Sequence, residues 1–172
     1  MTGIRLENCD DQVLNLVQSL NVNIQTAAQQ RILSYILIEV GGLFCPKHDT
    51  IVLNETNFFA QVRHSNMVVL HELIHWSGMK QRCNREAIVL AIDGVNRSSK
   101  DDQIAEEYTA NLGSIILLKQ LGLDAEVAID HHSDFMRQYP QNDIQTQRSQ
   151  NEAERAANWI INESQQKIQK IA

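Results

Sequence analysis

The run His71-Glu72-Leu73-Ile74-His75 sets two imidazoles four residues apart, with a carboxylate next to the first. On a helix, positions i and i+4 stand one above the other on the same face. Both histidines can then reach a single metal ion. Glu72 lies about 100° round the axis from His71, close enough to take a proton from a water at the open coordination position without ligating the metal itself. Two neutral imidazoles holding Zn2+, with a carboxylate as general base, are the parts needed for metal-assisted hydrolysis. Val68, Val69, Leu70, Leu73 and Ile74 make this helix apolar on most sides. Burying two histidines and a glutamate among them is costly unless an ion compensates them.

A catalytic zinc takes a third protein ligand. Gly78 fits the start of an extended His-x-x-Gly-x-x-His pattern, but its last position is Gln81, and no histidine lies between His75 and His131. The next candidates are Glu106 and Glu107. Ile104, Leu112, Ile115 and Ile116 should pack their helix against the core, and adjacent residues point about 100° apart, so only one of the two can ligate. Glu107 is the choice. Ala110 and Asn111 follow it as Glu-x-x-Ala-Asn, in which small Ala110 permits close helix approach and Asn111 can donate a hydrogen bond that orients the ligands. Glu106 reads as a solvated helix charge. Tyr108 and His64 are candidates to stabilise an oxyanion; the pair His131-His132 could reach the site, although adjacent histidines read more readily as exposed. Trp76 reads as a packing residue at the base of the site.

The elements that must position these groups are mostly helices. Val13, Leu14, Leu16, Val17 and Leu20 have helical spacing behind possible caps at Asp10 and Asp11. A second helix is expected from Thr26 to Val40, stopping at Gly41-Gly42. Leu43-Phe44-Cys45 and Thr50-Ile51-Val52-Leu53 flank Pro46-Lys47-His48-Asp49 and predict a β-hairpin. Helical spacing returns after Asn54 and ends near Ser77-Gly78, where glycine suits a C-terminal cap. Residues 79–100 are expected to form, in part, a loop over the site. Asp101 or Asp102 can cap a helix that Gly122 ends. Further helices are expected from Asp124 to Gln138 and from Asp143 onward through Ala153, Ala156, Ala157, Trp159 and Ile160.

The 172 residues are 43% hydrophobic and 21% charged, which suits one globular domain with a real core. The net charge of -6 offers no basic face for nucleic acid. No apolar run is long enough to span a membrane, and the acids Glu7, Asp10 and Asp11 do not resemble a signal peptide. Cys9, Cys45 and Cys83 are odd in number and form no Cys-x-x-Cys pair, so they read as free thiols in a reducing compartment, the cytoplasm.

The run His71-Glu72-Leu73-Ile74-His75-Trp76-Ser77-Gly78, followed by Ile104 through Leu112 with its Glu106-Glu107 pair, resembles the zincin-like metallopeptidase domain of ArdC-type antirestriction proteins. The likeness takes in the hairpin Phe44–Leu53, with Pro46 and Asp49, and the alanine-rich Glu152–Ile160, about residues 42–162. Glu-x-x-Ala-Asn is also similar to the wider ImmA/IrrE-like peptidases, in which the corresponding glutamate is the third zinc ligand. The resemblance implies an α+β, mostly helical zincin-like domain with an active-site helix, a short hairpin and a C-terminal helical part. It implies zinc held by His71, His75 and Glu107, Glu72 as base, and hydrolysis of a protein or peptide in phage or plasmid counter-defence or in cleavage of a regulatory protein. ArdC-type proteins carry an N-terminal domain that binds single-stranded DNA. Residues 1–41 read here as a helical, acidic segment too short for that domain, so DNA binding is not carried over. The alternative is a zinc-binding protein that occupies a basic partner by charge without cutting it.

Overall fold

The structure, a computed structural model, describes residues 9–26, 41–54, 62–90 and 98–171. Helix α1, Asp11–Leu20, buries Val13, Leu16, Val17 and Leu20 on one face. Asp10 is its N-cap residue but makes no side-chain cap. Its carboxylate instead accepts from Asn66 Nδ2 at 2.7 Å, while the Asn66 carbonyl accepts the Asp10 N–H at 3.0 Å. Asn21 ends the helix in the left-handed region (φ 56°).

Directly after it comes β1, Asn23–Thr26, in an N-terminal segment where only helices were expected. Thr26 ends this strand rather than starting a helix, and the remainder of the helix expected to Val40 lies outside the described residues. Asn-Ile-Gln-Thr has no strand signature of its own. It is extended because it pairs parallel with β3, Thr50–Leu53, and Asn23 donates to Thr50 Oγ1 at 2.7 Å. The expected hairpin is present. β2, Gly42–Cys45, pairs antiparallel with β3, matching Phe44 to Ile51, and a 3-10 turn at Pro46–His48 links them. Among the described residues the strand order β1-β3-β2 puts the fully buried β3 in the centre and leaves β2 at an edge.

Helix α2, Val62–Ser77, lies against β2 and β3 on one side and against later helices on the other. This explains its all-round apolarity: Met67 through Leu70, Leu73 and Ile74 are all buried. A one-turn helix α3, Glu86–Val89, follows. Helix α4, Lys100–Gln120, is capped by Ser99, whose hydroxyl accepts the Asp102 N–H at 3.1 Å while the Asp102 carboxylate accepts the Ser99 N–H. Asp102 is thus the reciprocal partner in a capping box and not the cap itself. Gly122, at φ 72°, turns the chain out of this helix.

Helix α5, Glu126–Gln138, and the long α6, Asp143–Ile171, complete the helical part. Ala153, Ala156, Ala157 and Ile160 are fully buried, and this small-residue seam lets α6 pack along α4. Among the described residues, no helix is long and apolar enough to cross a membrane.

Candidate metal centre

The centre forms where α2 crosses α4. The i, i+4 spacing turns His71 and His75 to one side, and their Nε2 atoms stand 3.1 Å apart. From α4, Glu107 brings Oε2 to 3.3 Å from His71 Nε2 and Oε1 to 3.4 Å from His75 Nε2. One ligand atom from each of the three lies within 4.8 Å of the others. For ligand bonds of about 2.0–2.1 Å, the edges of a tetrahedron round a zinc ion are roughly 3.3 Å. Two imidazole nitrogens and a carboxylate this close together are a donor set of the size and chemistry that a divalent ion takes.

The electrostatics agree with that fit. Burial pulls the His75 imidazole down, but the Glu107 carboxylate and the hydrogen bond to Glu106 outweigh it and hold the ring well above its ordinary value. Partial burial pushes Glu107 up, yet His75 and His71 together hold it well below the usual carboxylate range. The pocket is thus built to favour positive charge between the two imidazoles, which is what a cation supplies.

Glu72 is buried beside this cluster. Burial raises its carboxyl, and Glu107 pushes the same way, against the pull of the His71 and His75 rings and of a hydrogen bond from the Phe44 N–H. β2 approaches Glu72 this closely because position 42 has no side chain. A Cβ on Gly42 would sit 2.9 Å from Glu72 Cγ and 3.0 Å from Val68 Cγ1. The cleft in front of the cluster has a volume of about 840 Å³ and is bordered by β2 on one side and by α5 on the other. Val127, Asp130, His131 and Asp134, at helical spacing, are the cleft face of α5.

The remaining sequence candidates separate clearly. His64 and His131 border the cleft. His132 is buried, not exposed, with its ring edge-on to Tyr108 at 5.5 Å. Tyr108 is also buried, and its hydroxyl donates to the Tyr139 carbonyl at 2.7 Å, so it is not available as a donor in the cleft. Asn111 is buried one turn beyond Glu107, and its Nδ2 makes no hydrogen bond among the described residues. Trp76 is buried, packed against Trp159 at 6.0 Å and covered by the Arg82 guanidinium at 3.8 Å.

Two features were not legible in the spacing. Glu106 is buried rather than solvated, with Oε1 3.0 Å from His75 Nδ1. Its other partner is Arg85, from the segment expected to be a loop over the site. Within that segment residues 79–85 turn back on the end of α2, Ala87, Ile88 and Ser98 border the cleft, and residues 91–97 lie outside the described residues. Arg82 donates to the Trp76 carbonyl at 2.7 Å and pairs with Asp49 in the hairpin turn. Gly78 permits this return by its size, not as a left-handed cap, since a Cβ there would lie 2.6 Å from Ile88 Cγ1 and 3.0 Å from Arg85 Nη2. The only signal for Glu106 was its position next to Glu107 in a helix whose neighbours are apolar. Arg85 gave none.

Among solved structures, the chain is similar to the antirestriction protein ArdC from plasmid R388. The match to its Mn(II)-bound form has a TM-score of 0.62 at 20% identity, covering 90% of this chain and 52% of that one. The metal-free form gives a TM-score of 0.61 at 20% identity, over 91% and 52%. This chain thus spans about half the length of those structures, and at that identity the likeness speaks for the fold. No curated protein matches the chain. A family of zincin-like metallopeptidases matches residues 39–158, a span that contains both the His71–His75 helix turn and Glu107. With the sheet, the crossing helices and most of the sequence in agreement, the chain belongs to the zincin-like metallopeptidase family.

Proposed function

We propose that the protein is a zinc-dependent peptidase, with His71, His75 and Glu107 as ligands and Glu72 as general base. The observation that carries this reading is the convergence of two imidazole nitrogens and the Glu107 carboxylate, with the buried carboxyl of Glu72 beside them at an open cleft. A zinc ion held there supplies Lewis acidity, which polarises a scissile carbonyl and brings the pKa of a bound water down to about 7.

Glu72 does the proton work. Its carboxylate accepts the proton of the attacking water and returns it to the departing amine. Its burial favours the protonated state between those steps, and the Phe44 N–H fixes its orientation. Peptide is the substrate that suits the surroundings, because among the described residues β2 is a sheet edge beside the cleft, and an extended chain can add to such an edge through main-chain hydrogen bonds. His131, which also borders the cleft, is the residue we assign as donor to the developing oxyanion. The likeness to an antirestriction protein directs the search for the substrate towards proteins of host defence or their regulators.

The test compares zinc-loaded wild type with Glu72→Gln on a cell-extract proteome, with new N-termini labelled and identified. Wild type should generate a defined set of new termini. Glu72→Gln should bind zinc equally and generate none. If protection of incoming DNA is observed in cells and survives Glu72→Gln with zinc bound, the protein acts by occupying its partner and the peptidase reading fails.

A further inference from the structure

We propose that Glu106 and Arg85 are the positioning pair of the metal centre: Glu106 fixes the imidazole of His75, and Arg85 fixes Glu106. The inference rests on the reading of His71, His75 and Glu107 as ligands.

Adjacent residues of α4 grip one imidazole at both of its nitrogens. Glu107 stands 3.4 Å from His75 Nε2, and Glu106 stands 3.0 Å from Nδ1. A carboxylate only accepts, so the Nδ1 proton points to Glu106 and the Nε2 lone pair points to the ion. Among the described residues, His75 is the ligand held in this way.

A carboxylate oriented by one hydrogen bond could still rotate. Arg85 prevents that. Its Nε lies 2.8 Å from Glu106 Oε2 and 3.1 Å from Oε1, and its Nη2 lies 2.8 Å from Oε1. Both oxygens are therefore held in the plane of the guanidinium. The same guanidinium donates from Nη1 to Ser77 Oγ at 3.0 Å and from Nη2 to the Ile74 carbonyl, in the last turn of α2. Arg85 thus ties the helix that carries both histidines to the helix that carries Glu107. Glu106 and Arg85 are both buried and opposite in charge, so the pair leaves the net charge at the ion unchanged. Lysine lacks the planar fork and cannot hold both oxygens and the two α2 acceptors together.

Residues that orient a metal-bound histidine typically change affinity 10–100-fold when removed. The experiment measures zinc dissociation constants by chelator competition on folded, full-length protein. It adds the visible spectrum of the cobalt-substituted form and, in wild type, the imidazole NMR signals of His75. Glu106→Ala should bind zinc roughly 10–100-fold more weakly with an altered cobalt spectrum. Glu106→Gln, which keeps an acceptor oxygen, should recover part of that loss. Zinc-loaded wild type should show His75 protonated at Nδ1 and coordinated through Nε2.

Unchanged zinc affinity and cobalt spectrum in Glu106→Ala, with only thermal stability reduced, would make the pair a structural tie and overturn the proposal. Coordination of His75 through Nδ1 overturns it in wild type, whether or not the variants fold. Wild type that binds no zinc, or binds it equally well after His71→Ala and Glu107→Ala, overturns the ligand reading itself.

Discussion

Gly113→Ala sets two effects of opposite sign against each other. Gly113 lies on α4, six residues beyond Glu107. Replacing an interior helical glycine by alanine ordinarily stabilises by about 1 kcal/mol. Here the new Cβ would stand 2.6 Å from Ile74 Cδ1, 2.7 Å from Cγ1 and 3.2 Å from Cγ2. Relaxed carbon contacts begin near 3.5 Å, so relief requires a shift of roughly 0.9 Å. Three atoms of one fully buried side chain crowd the same point, so a rotamer change does not clear it. Overpacking of this kind costs about 1–3 kcal/mol; with no room for Ile74 to move, the upper half of that range applies. The expected net loss is about 1–2 kcal/mol.

The assay is urea unfolding with a chelator present, so that zinc binding does not contribute. The midpoint should fall by roughly 0.5–1 M with an unchanged m-value. The displacement also separates α2 from α4, on which the 3.4 Å approach of Glu107 to His75 depends, so on the proposed ligand set metal affinity should fall as well. Ile74→Ala removes all three atoms that the new Cβ would meet. Alone it should cost about 2–5 kcal/mol, but combined with Gly113→Ala the two losses should not add, because no clash is left, a clear departure from additivity. A Gly113→Ala protein that is more stable by about 1 kcal/mol and binds zinc normally would refute the reasoning.

Arg82→Ala removes the cation over the Trp76 ring and the donor to the Trp76 carbonyl. The Trp76 carbonyl keeps the Met79 N–H, so from a buried cation–π contact and one lost hydrogen bond the expected loss is about 1–3 kcal/mol, read as a fall in the thermal midpoint. Asp49→Asn, at the half-exposed end of the same clamp, should cost much less. Burial, followed by the charge of His131, lowers the His132 pKa below its ordinary 6.5. The unfolded chain therefore binds more protons than the folded one as pH falls below 6.5, and stability declines through that window. His132→Phe, which keeps the ring contact with Tyr108 and removes the unpartnered Nδ1, should flatten the decline. Equal slopes for the two proteins between pH 7 and 5 would remove His132 as its source.

The parts of the fold that rest on local pattern were legible. The hairpin at Gly42–Leu53 announced itself by two β-rich runs around a proline turn, and the helices at Asp11, Asp143 and on either side of Gly122 by apolar spacing. β1 did not, because Asn23–Thr26 is a strand only through its parallel partner 27 residues further on in register. The start of α4 shifted from Asp101 or Asp102 to Ser99 because a cap is defined by which N–H its side chain reaches, and either acid would serve in sequence.

The amino-acid sequence by itself determined the chemistry that can occur. The helical repeat forces His71 and His75 to one side, and with no suitable third histidine the Glu-x-x-Ala-Asn pattern made Glu107 the candidate to join them. The family that matches residues 39–158 was legible in the same residues. Only the tertiary structure decided what surrounds that set: that Glu106 turns inward to Nδ1 of His75, that Arg85 returns from the following segment to hold it, and that His132 and Tyr108 face away from the cleft. The physical reason is a difference of range. Helical periodicity acts over a few residues and can be read along the chain, whereas a buried ion pair between residues 85 and 106 exists only once two helices have packed and excluded water from both charges.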